Sequence, residues 1–304
     1  MEVLQEWGEG TCGHAFHTAC LRHYVLNHRQ QYGTATPPRC PLCRKEVHPN
    51  VLAALTDNTP VATPGVFSNR DSLKDAVDEL LALDSTGETP HPVHGYINTW
   101  DVSEVTNMSY MFERATSFDQ PLDNWDVSNV RNMTGMFVGA TLFDQPLDSW
   151  DVSNVENMFG MFNGAASFDQ PLNSWDVSNV KEMTFMFWRA TFFDQPLDNW
   201  DVSNVDSTEG MFDKARSFNQ PLNSWVVSNV KNMEEMFSDA TSFNQPLNSW
   251  DVSNVVNMSY MFDGATSFNQ PLNSWDVSSV ENTRAMFRGA TSFDRAAHAP
   301  WYVQ

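Results

Sequence analysis

Apolar residues recur along this chain with a period of twenty-five. From residue 96 onward, tryptophan stands at eight equally spaced positions, and a Met-Phe pair begins eleven residues after each one, without insertion or deletion. The tryptophans are Trp100, Trp125, Trp150, Trp175, Trp200, Trp225, Trp250 and Trp275. Because a slip in register would move every core residue out of line, each period is expected to form one structural coil. The pattern therefore predicts a solenoid of eight coils over residues 96–295.

The row from Pro121 to Gln145 shows how one coil is expected to fold. Its first part carries Leu122, Trp125 and Val127 in a β-favouring stretch, which predicts a short strand. Apolar residues then recur at spacings of three and four, which predicts a helix of two to three turns. These residues are Val130, Met133, Met136, Phe137 and Ala140. The fold class predicted is α/β, with a stacked parallel sheet roughly 35 to 40 Å wide and helices on its other side.

Both ends of the array differ from the repeats. The segment before it predicts an amphipathic helix from about Asp71 to Leu83, with Asp71 or Ser72 as its cap, which would cover the first coil. Residues 71–95 are thus expected to be a cap helix and lead-in. After Phe293 the pattern decays, so residues 296–304 are predicted to form a frayed tail. Residues 49–70 hold several prolines and few charges, which is typical of a linker.

Composition limits the classes of partner. The formal net charge is −21, and residues 96–304 carry 10 Lys and Arg against 27 Asp and Glu. Such a surface repels phosphate backbones, so nucleic acid is not expected as a partner. The sequence has no run of eighteen apolar residues and no secretory signal pattern, so neither a membrane span nor secretion is expected.

The repeat itself carries a resemblance. The row "MFxxAxxFNQPLxxWDVSNVxNM", with the lead-in "GYINTWDVS", resembles the BspA-like, leucine-rich-like 25-residue surface-protein repeats of mycoplasma lipoproteins. The resemblance implies a right-handed leucine-rich-like solenoid and a role in protein binding or at a cell surface, with no known active site. Three positions depart from the pattern: Val226 replaces the Asp after Trp, and Thr208 and Thr283 replace a core Met.

Invariant columns within the repeats are interpreted as structural. The Trp, Met and Phe columns are expected to form the core, and the column from Gln120 to Gln270 a hydrogen-bonding ladder that satisfies turn backbone. The Asp column is expected to accept backbone N–H groups at the start of the following helix. Calcium binding and an acidic partner-binding strip are the alternatives for it. Its members are Asp101, Asp126, Asp151, Asp176, Asp201, Asp251 and Asp276.

Positions after the predicted cap vary from row to row, whereas the predicted strand hardly changes. The variable residues in three successive rows are Arg131, Thr134 and Val138, then Glu156, Phe159 and Asn163, then Lys181, Thr184 and Trp188. Either this face is merely solvated, or the specificity for a partner lies there.

The N-terminal residues have different chemistry. All four cysteines and seven of the eight histidines lie within the first 94 residues. They spell Cys12-x-His14-x2-His17-x2-Cys20 and, nineteen residues later, Cys40-x2-Cys43. Thiolate and imidazole groups delivered as close pairs are the ligands that structural zinc prefers, and clustered cysteines favour a reducing compartment. Zinc is therefore the predicted cofactor, and an intracellular, cytoplasmic location is expected, with surface association as the alternative.

This set resembles the RING-H2 type of zinc domain over residues 1–48. The resemblance implies one complete site of Cys12, His14, Cys40 and Cys43. His17 and Cys20 would hold half of a second site, whose remaining pair is expected upstream of Met1.

In RING ubiquitin ligases the positions equivalent to Tyr24, Pro41, Leu42 and Arg44 serve partner binding. The resemblance thus implies a ubiquitin-conjugating enzyme as partner and RING-type ubiquitin transfer if the domain is complete upstream. The protein bound by the repeats would then be the substrate. The alternative is a non-enzymatic repeat protein, binding other proteins or acting at a cell surface, with a degenerate zinc module.

Overall fold

The computed structural model describes residues 65–302. Helix α1 spans Arg70–Leu83, a short 3₁₀ helix spans Ile97–Thr99, and helix α2 spans Arg295–His298. The rest of this part of the chain consists of turns, bends and irregular segments, joined by isolated β-bridges. We define repeats 1 to 8 as beginning at their tryptophans, from Trp100 to Trp275.

The predicted α/β solenoid of strand-helix coils is wrong. Between residues 100 and 294 the chain forms neither a helix nor an extended strand. The segment predicted as a strand is a tight turn instead, because the Trp125 N–H donates to the Leu122 carbonyl three residues earlier, at 3.0 Å. Parallel bridges do join successive repeats, but each involves a single residue in the column from Asn107 to Asn282. The predicted zinc domain lies outside the described residues.

The segment predicted as a helix is a string of β-turns. In repeat 1, the N–H groups of Met111, Glu113 and Ala115 each donate to the carbonyl three residues before, at 3.1–3.3 Å. The third residues of the first and last of these turns, Tyr110 and Arg114, have φ of 57° and 56°. A positive φ at this position characterises a type II turn and is incompatible with an α-helix. All eight repeats keep positive φ at both positions.

The alternate N–H groups of this string point to the next repeat. We define the outer strip as residues 107–114 and their equivalents, ending at 282–289. In repeat 1, Met108, Tyr110, Phe112 and Arg114 donate to the carbonyls of Asn132, Thr134, Met136 and Val138 at 2.6–2.9 Å. This ladder satisfies the backbone that the turns leave unpaired, and it fixes the register between repeats at 25 residues.

The core consists of stacked columns of identical side chains, as the sequence predicts. The Trp, Met, Phe, Val and Leu columns are almost entirely buried, apart from members in repeat 8. Rings of the Phe112 column stack on their equivalents with centroids 5.3–5.7 Å apart. In the column from Trp125 to Trp275, each indole N–H donates to the backbone carbonyl 28 residues earlier, as Trp150 does to Leu122 at 2.9 Å. The interpretation of these columns as core is confirmed.

Helix α1 packs against repeat 1. Its buried residues Leu73, Ala76, Val77 and Leu80 join the core, and Arg70 donates from Nε to the Ser109 carbonyl at 2.9 Å. The predicted helix is therefore confirmed. Its N-cap, however, is Asn69, whose side chain accepts the Ser72 N–H, and not Asp71 or Ser72.

Residues 296–302, which belong to the predicted frayed tail of residues 296–304, fold onto repeat 8. The Leu272 N–H donates to the carbonyl of His298, at the end of α2, at 2.8 Å. Trp301 stacks on Trp275 and donates from its indole to the Leu272 carbonyl at 3.0 Å. The tryptophan column is thus extended with an offset of one residue, which keeps the ring of Trp275 covered.

Candidate protein-binding face

The Asp column closes turns. Asp126 accepts the Ser128 N–H at 3.1 Å and the Ser128 hydroxyl at 2.6 Å through the same oxygen, Oδ1. The backbone bond recurs at every aspartate of the column. These bonds from serine lower the pKa of Asp101, Asp151, Asp201, Asp251 and Asp276. The expected acceptance of backbone N–H groups is confirmed, but the motif is an Asx turn, because no helix follows.

A second polar column carries the predicted glutamine ladder. The amide of Gln145 donates to Oδ1 of Asp119 in the preceding repeat at 2.9 Å, and the Asp144 N–H donates to the same atom at 2.9 Å. The glutamine ladder therefore exists, but its acceptor is mainly a side chain and not turn backbone. This acceptor column was not predicted from the sequence, and it contains Asp119, Asp144, Asp169, Asp194, Asn219 and Asn244.

Variation between repeats concentrates in the outer strip. The seventh position of the strip shows it best, since it holds residues of very different chemistry. In chain order they are Glu113, Val138, Asn163, Trp188, Asp213, Ser238, Asp263 and Arg288. The backbone ladder beneath these side chains recurs from repeat to repeat, except that repeat 4 lacks the bond from the Met183 N–H to the Ser207 carbonyl. The strip is thus a constant scaffold that presents a variable set of side chains.

An aromatic and basic cluster lies in the middle of the strip. We define the Trp188 patch as Phe159, Phe185, Trp188, Arg189 and Lys214. The Phe159 and Phe185 rings meet edge to face with centroids 5.9 Å apart, and the centroids of Phe185 and Trp188 are 6.2 Å apart. The Arg189 guanidinium lies 4.4 Å from the Trp188 ring centroid, within cation–π distance. All five side chains remain at least partly exposed.

A buried carboxylate positions this patch. Asp213 is 1 % exposed. It accepts the Trp188 indole N–H and receives the Lys214 ammonium at 2.9 Å. A buried carboxylate needs such partners, because loss of hydration is otherwise uncompensated. The buried Asp213 therefore fixes the orientation of the Trp188 ring, and part of that ring remains exposed to solvent.

Acidic side chains lie beside the patch. Burial and the nearby Glu234 raise the pKa of Glu209, and burial together with Asp213 and Glu234 raises the pKa of Glu235. Arg189 has no carboxylate within ion-pair distance among residues 65–302. An unpaired arginine on a chain of net charge −21 marks a place where a partner's carboxylate would be favoured.

The family comparison agrees with the repeat architecture. The family described as "Mycoplasma protein of unknown function, DUF285" matches three times, over residues 88–200, 146–248 and 189–301. The chain belongs to this family. Nothing matches among curated proteins or among solved structures. The DUF285 match confirms the resemblance to a mycoplasma repeat family, and the description of that family gives no function.

The other site residues predicted from the sequence lie outside the part of the chain that the structure describes. They are the zinc ligands Cys12, His14, His17, Cys20, Cys40 and Cys43, and the partner residues Tyr24, Pro41, Leu42 and Arg44. Within residues 65–302, no group of three or more His, Cys, Asp or Glu side chains is placed to hold a metal ion. In the same range, neither helix has the length and apolarity that crossing a bilayer requires.

Part of the Trp188 patch was recognisable from the sequence. Phe159 and Trp188 stand among the variable positions, but Phe185, Arg189 and Lys214 do not. Comparison of equivalent positions among the repeats could have identified them. Phe185 stands at a position held by glycine in three other DUF285 repeats, and Arg189 and Lys214 share a position held by glycine in four. A large side chain at a position that other repeats fill with glycine indicates a functional role for that side chain, in addition to the folding of the repeat.

Proposed function

We propose that the repeats bind another protein through the outer strip, with the Trp188 patch at the centre of the contact. The observation that carries this proposal is the partly exposed indole held by the buried Asp213 and covered on one side by Arg189. Tryptophan and arginine are among the residues most enriched at energetic centres of protein interfaces. A preorganised aromatic side chain also loses little conformational entropy on binding.

Because Arg189 is an unpaired cation on an otherwise acidic chain, the partner surface is expected to combine an apolar pocket with carboxylates. The pocket would receive Trp188 and Phe185, and a carboxylate would pair with Arg189. Other exposed apolar side chains, Leu142 and Phe192, stand two repeats apart in one column. They would extend the apolar part of the contact at the rim.

The test compares proteins captured by the full chain and by three variants. Trp188→Ala and Arg189→Glu change the patch, whereas Val226→Ser removes an exposed apolar side chain from the Asp column and serves as the control. We expect a protein captured by the wild type and by the control to be lost with both patch variants. Undiminished capture of every partner by folded Trp188→Ala would contradict the proposal.

We propose a second function for the N-terminal residues, on the ligand spacing alone. Cys12, His14, Cys40 and Cys43 form a thiolate and imidazole set suited to tetrahedral zinc, which would supply folding energy to this segment. Tyr24, Pro41, Leu42 and Arg44 would then contact a ubiquitin-conjugating enzyme, and the outer strip would hold the substrate.

Two measurements test this second proposal. Metal analysis of the purified chain should find about one zinc per chain that Cys40→Ser abolishes. Transfer of ubiquitin from a panel of conjugating enzymes should depend on Pro41, with Pro38→Ala as the matched control. Absence of zinc would contradict the metal site, and transfer that Pro41→Ala leaves unchanged would contradict the docking role.

A further inference from the structure

The backbone ladder of the outer strip has a direction. In every repeat up to the seventh, the donors are on the earlier repeat and the acceptors on the later one. In repeat 7 the donors are Met258, Tyr260, Phe262 and Gly264. Their acceptors in repeat 8 are the carbonyls of residues 282, 284, 286 and 288, at 2.7–2.9 Å. The ladder therefore ends in repeat 8 with a row of donors.

These last donors have no acceptor in the described part of the chain. They are the N–H groups of Thr283, Ala285, Phe287 and Gly289. The Glu281 carbonyl is also without a backbone partner there, although its equivalent Thr106 accepts the Arg131 N–H at 2.8 Å. We define these five residues as the repeat 8 edge. Unpaired edges of this kind are templates for adding a further extended segment.

Two arginines lie beside this edge, close to the carboxylates of Glu281 and Asp263. Arg284 and Arg288 stand in the outer strip of repeat 8, and their guanidinium groups lie 5.7 and 5.4 Å from the Tyr260 ring centroid. Arg288 pairs with Asp263, but Arg284 has no carboxylate partner among the described residues. Aligned N–H groups beside two arginines favour a partner that offers carbonyls and carboxylates.

We propose that the repeat 8 edge binds an extended, acidic segment of another protein by backbone pairing. Alternate carbonyls of an extended chain point to the same side, as alternate donors do along this edge. A second copy of this chain is not the occupant, because helix α1 packs against repeat 1, where the complementary carbonyls lie. Arg70 also occupies the Ser109 carbonyl at 2.9 Å. The proposal is independent of the Trp188 patch, since it concerns another repeat.

The test uses the full chain and a synthetic peptide of about ten residues with alternating Glu and Val, long enough to span one strand. Hydrogen exchange followed by mass spectrometry reports on residues 281–290. We expect the peptide to bind and to slow exchange in this segment, and a Lys-Val peptide of equal length to do neither. Trp188→Ala should leave this protection unchanged, which separates the edge from the patch.

Matched charge variants complete the test. Arg284→Gln with Arg288→Gln should weaken peptide binding about tenfold. Arg216→Gln with Lys231→Gln removes two other exposed cations and should leave binding unchanged. Three results would each overturn the proposal: no binding of the Glu-Val peptide, binding without slower exchange at residues 281–290, or equal loss of affinity in both pairs of variants.

Discussion

The indole N–H of Trp188 donates a hydrogen bond to the carboxylate of Asp213, which occupies the equivalent position one repeat later. The bond crosses the boundary between repeats 4 and 5, and Lys214 donates to the same carboxylate. A residue that can face a partner is thereby coupled to a buried charge in the next repeat.

This coupling can be measured. Trp188→Phe removes the indole donor, and Asp213→Ala removes the carboxylate acceptor, whereas asparagine at 213 would keep an oxygen that accepts the indole N–H. A double-mutant cycle on the free energy of unfolding should give a coupling of about 1 kcal/mol or more, because the two groups share a buried hydrogen bond. Additive effects of the two substitutions would show that the bond contributes nothing to stability.

Replacing Thr208 with methionine should stabilise the protein. Thr208 is fully buried, and its hydroxyl is without a hydrogen-bond partner. Six of the seven other repeats have methionine at this position. Thr208→Met should raise the free energy of unfolding by about 1–3 kcal/mol, since it removes an unsatisfied polar group and restores buried apolar volume.

The control for that substitution is Thr283→Met. Thr283 stands in the same column but in the last repeat, where it is only half-buried. Its substitution should give a smaller gain in thermal or chemical denaturation. An equal gain at both positions would show that the buried hydroxyl of Thr208 is not the cause.

Two glycines of one column should differ in their tolerance of alanine. Gly160 and Gly210 have nearly the same φ, 57° and 55°. A Cβ at Gly160 would lie 3.6 Å from its nearest neighbour, whereas at Gly210 it would lie 2.3 Å from the Phe185 ring. Gly160→Ala should cost about 1–2 kcal/mol for the left-handed backbone alone.

Gly210→Ala should cost more than Gly160→Ala, because the Phe185 ring must also move. It should weaken binding by the Trp188 patch as well, which Gly160→Ala should not do. Urea denaturation of the two variants checks the first expectation. Equal losses of stability would mean that the Phe185 ring has room to adjust.

Stability at acid pH should depend on Asp84. Hydrogen bonds from the side chains and N–H groups of Thr86 and Thr89 lower the pKa of Asp84 from 3.8 to about 2. Because the folded pKa is below the unfolded one, this contribution is present in full above about pH 4 and is lost as the pH falls toward 2.

Asp84→Asn removes this titration. The variant should be less stable than the wild type at neutral pH, and the difference should shrink between about pH 4 and about pH 2. The free energy of unfolding of both proteins as a function of pH is the measurement. A difference that stays constant over this range would contradict the assigned role of Asp84.

The core was predictable from the sequence, whereas the backbone conformation was not. Val130, Met133 and Met136 are three residues apart, and a string of turns, with i to i−3 hydrogen bonds at Val130 and Met136, buries all three just as one face of a helix would. Spacing alone cannot separate the two conformations. The discriminating signal was glycine at 135 and 139, inside the segment predicted as a helix.

The strand prediction failed for a related reason. Trp125 and Val127 alternate as strand residues do, but most of the backbone hydrogen bonds between repeats form at residues 131 and 132 and in the turns after them. Where identical columns stack every 25 residues, side-chain burial is dictated by the register of the repeats. Burial therefore carries little information on the local conformation of each segment.

The candidate site was only partly predictable. Phe159 and Trp188 were recognisable because they vary against a constant background. The role of Asp213 depends on its burial. The sequence does not indicate this burial, because the same position holds Glu113 and Arg288 in other repeats. The open edge of repeat 8 follows from the direction of the hydrogen bonds, and only the structure contains that information.

Site-specific photo-cross-linking tests most directly whether the outer strip is the face that binds a partner. A photoreactive residue replaces Asn163, which precedes Trp188 by one repeat in the same column and leaves the patch intact. The control replaces Val226, which is 55 % exposed in the Asp column. We predict a cross-link to a captured protein from position 163 and none from position 226. Cross-linking from position 226 alone would contradict the account.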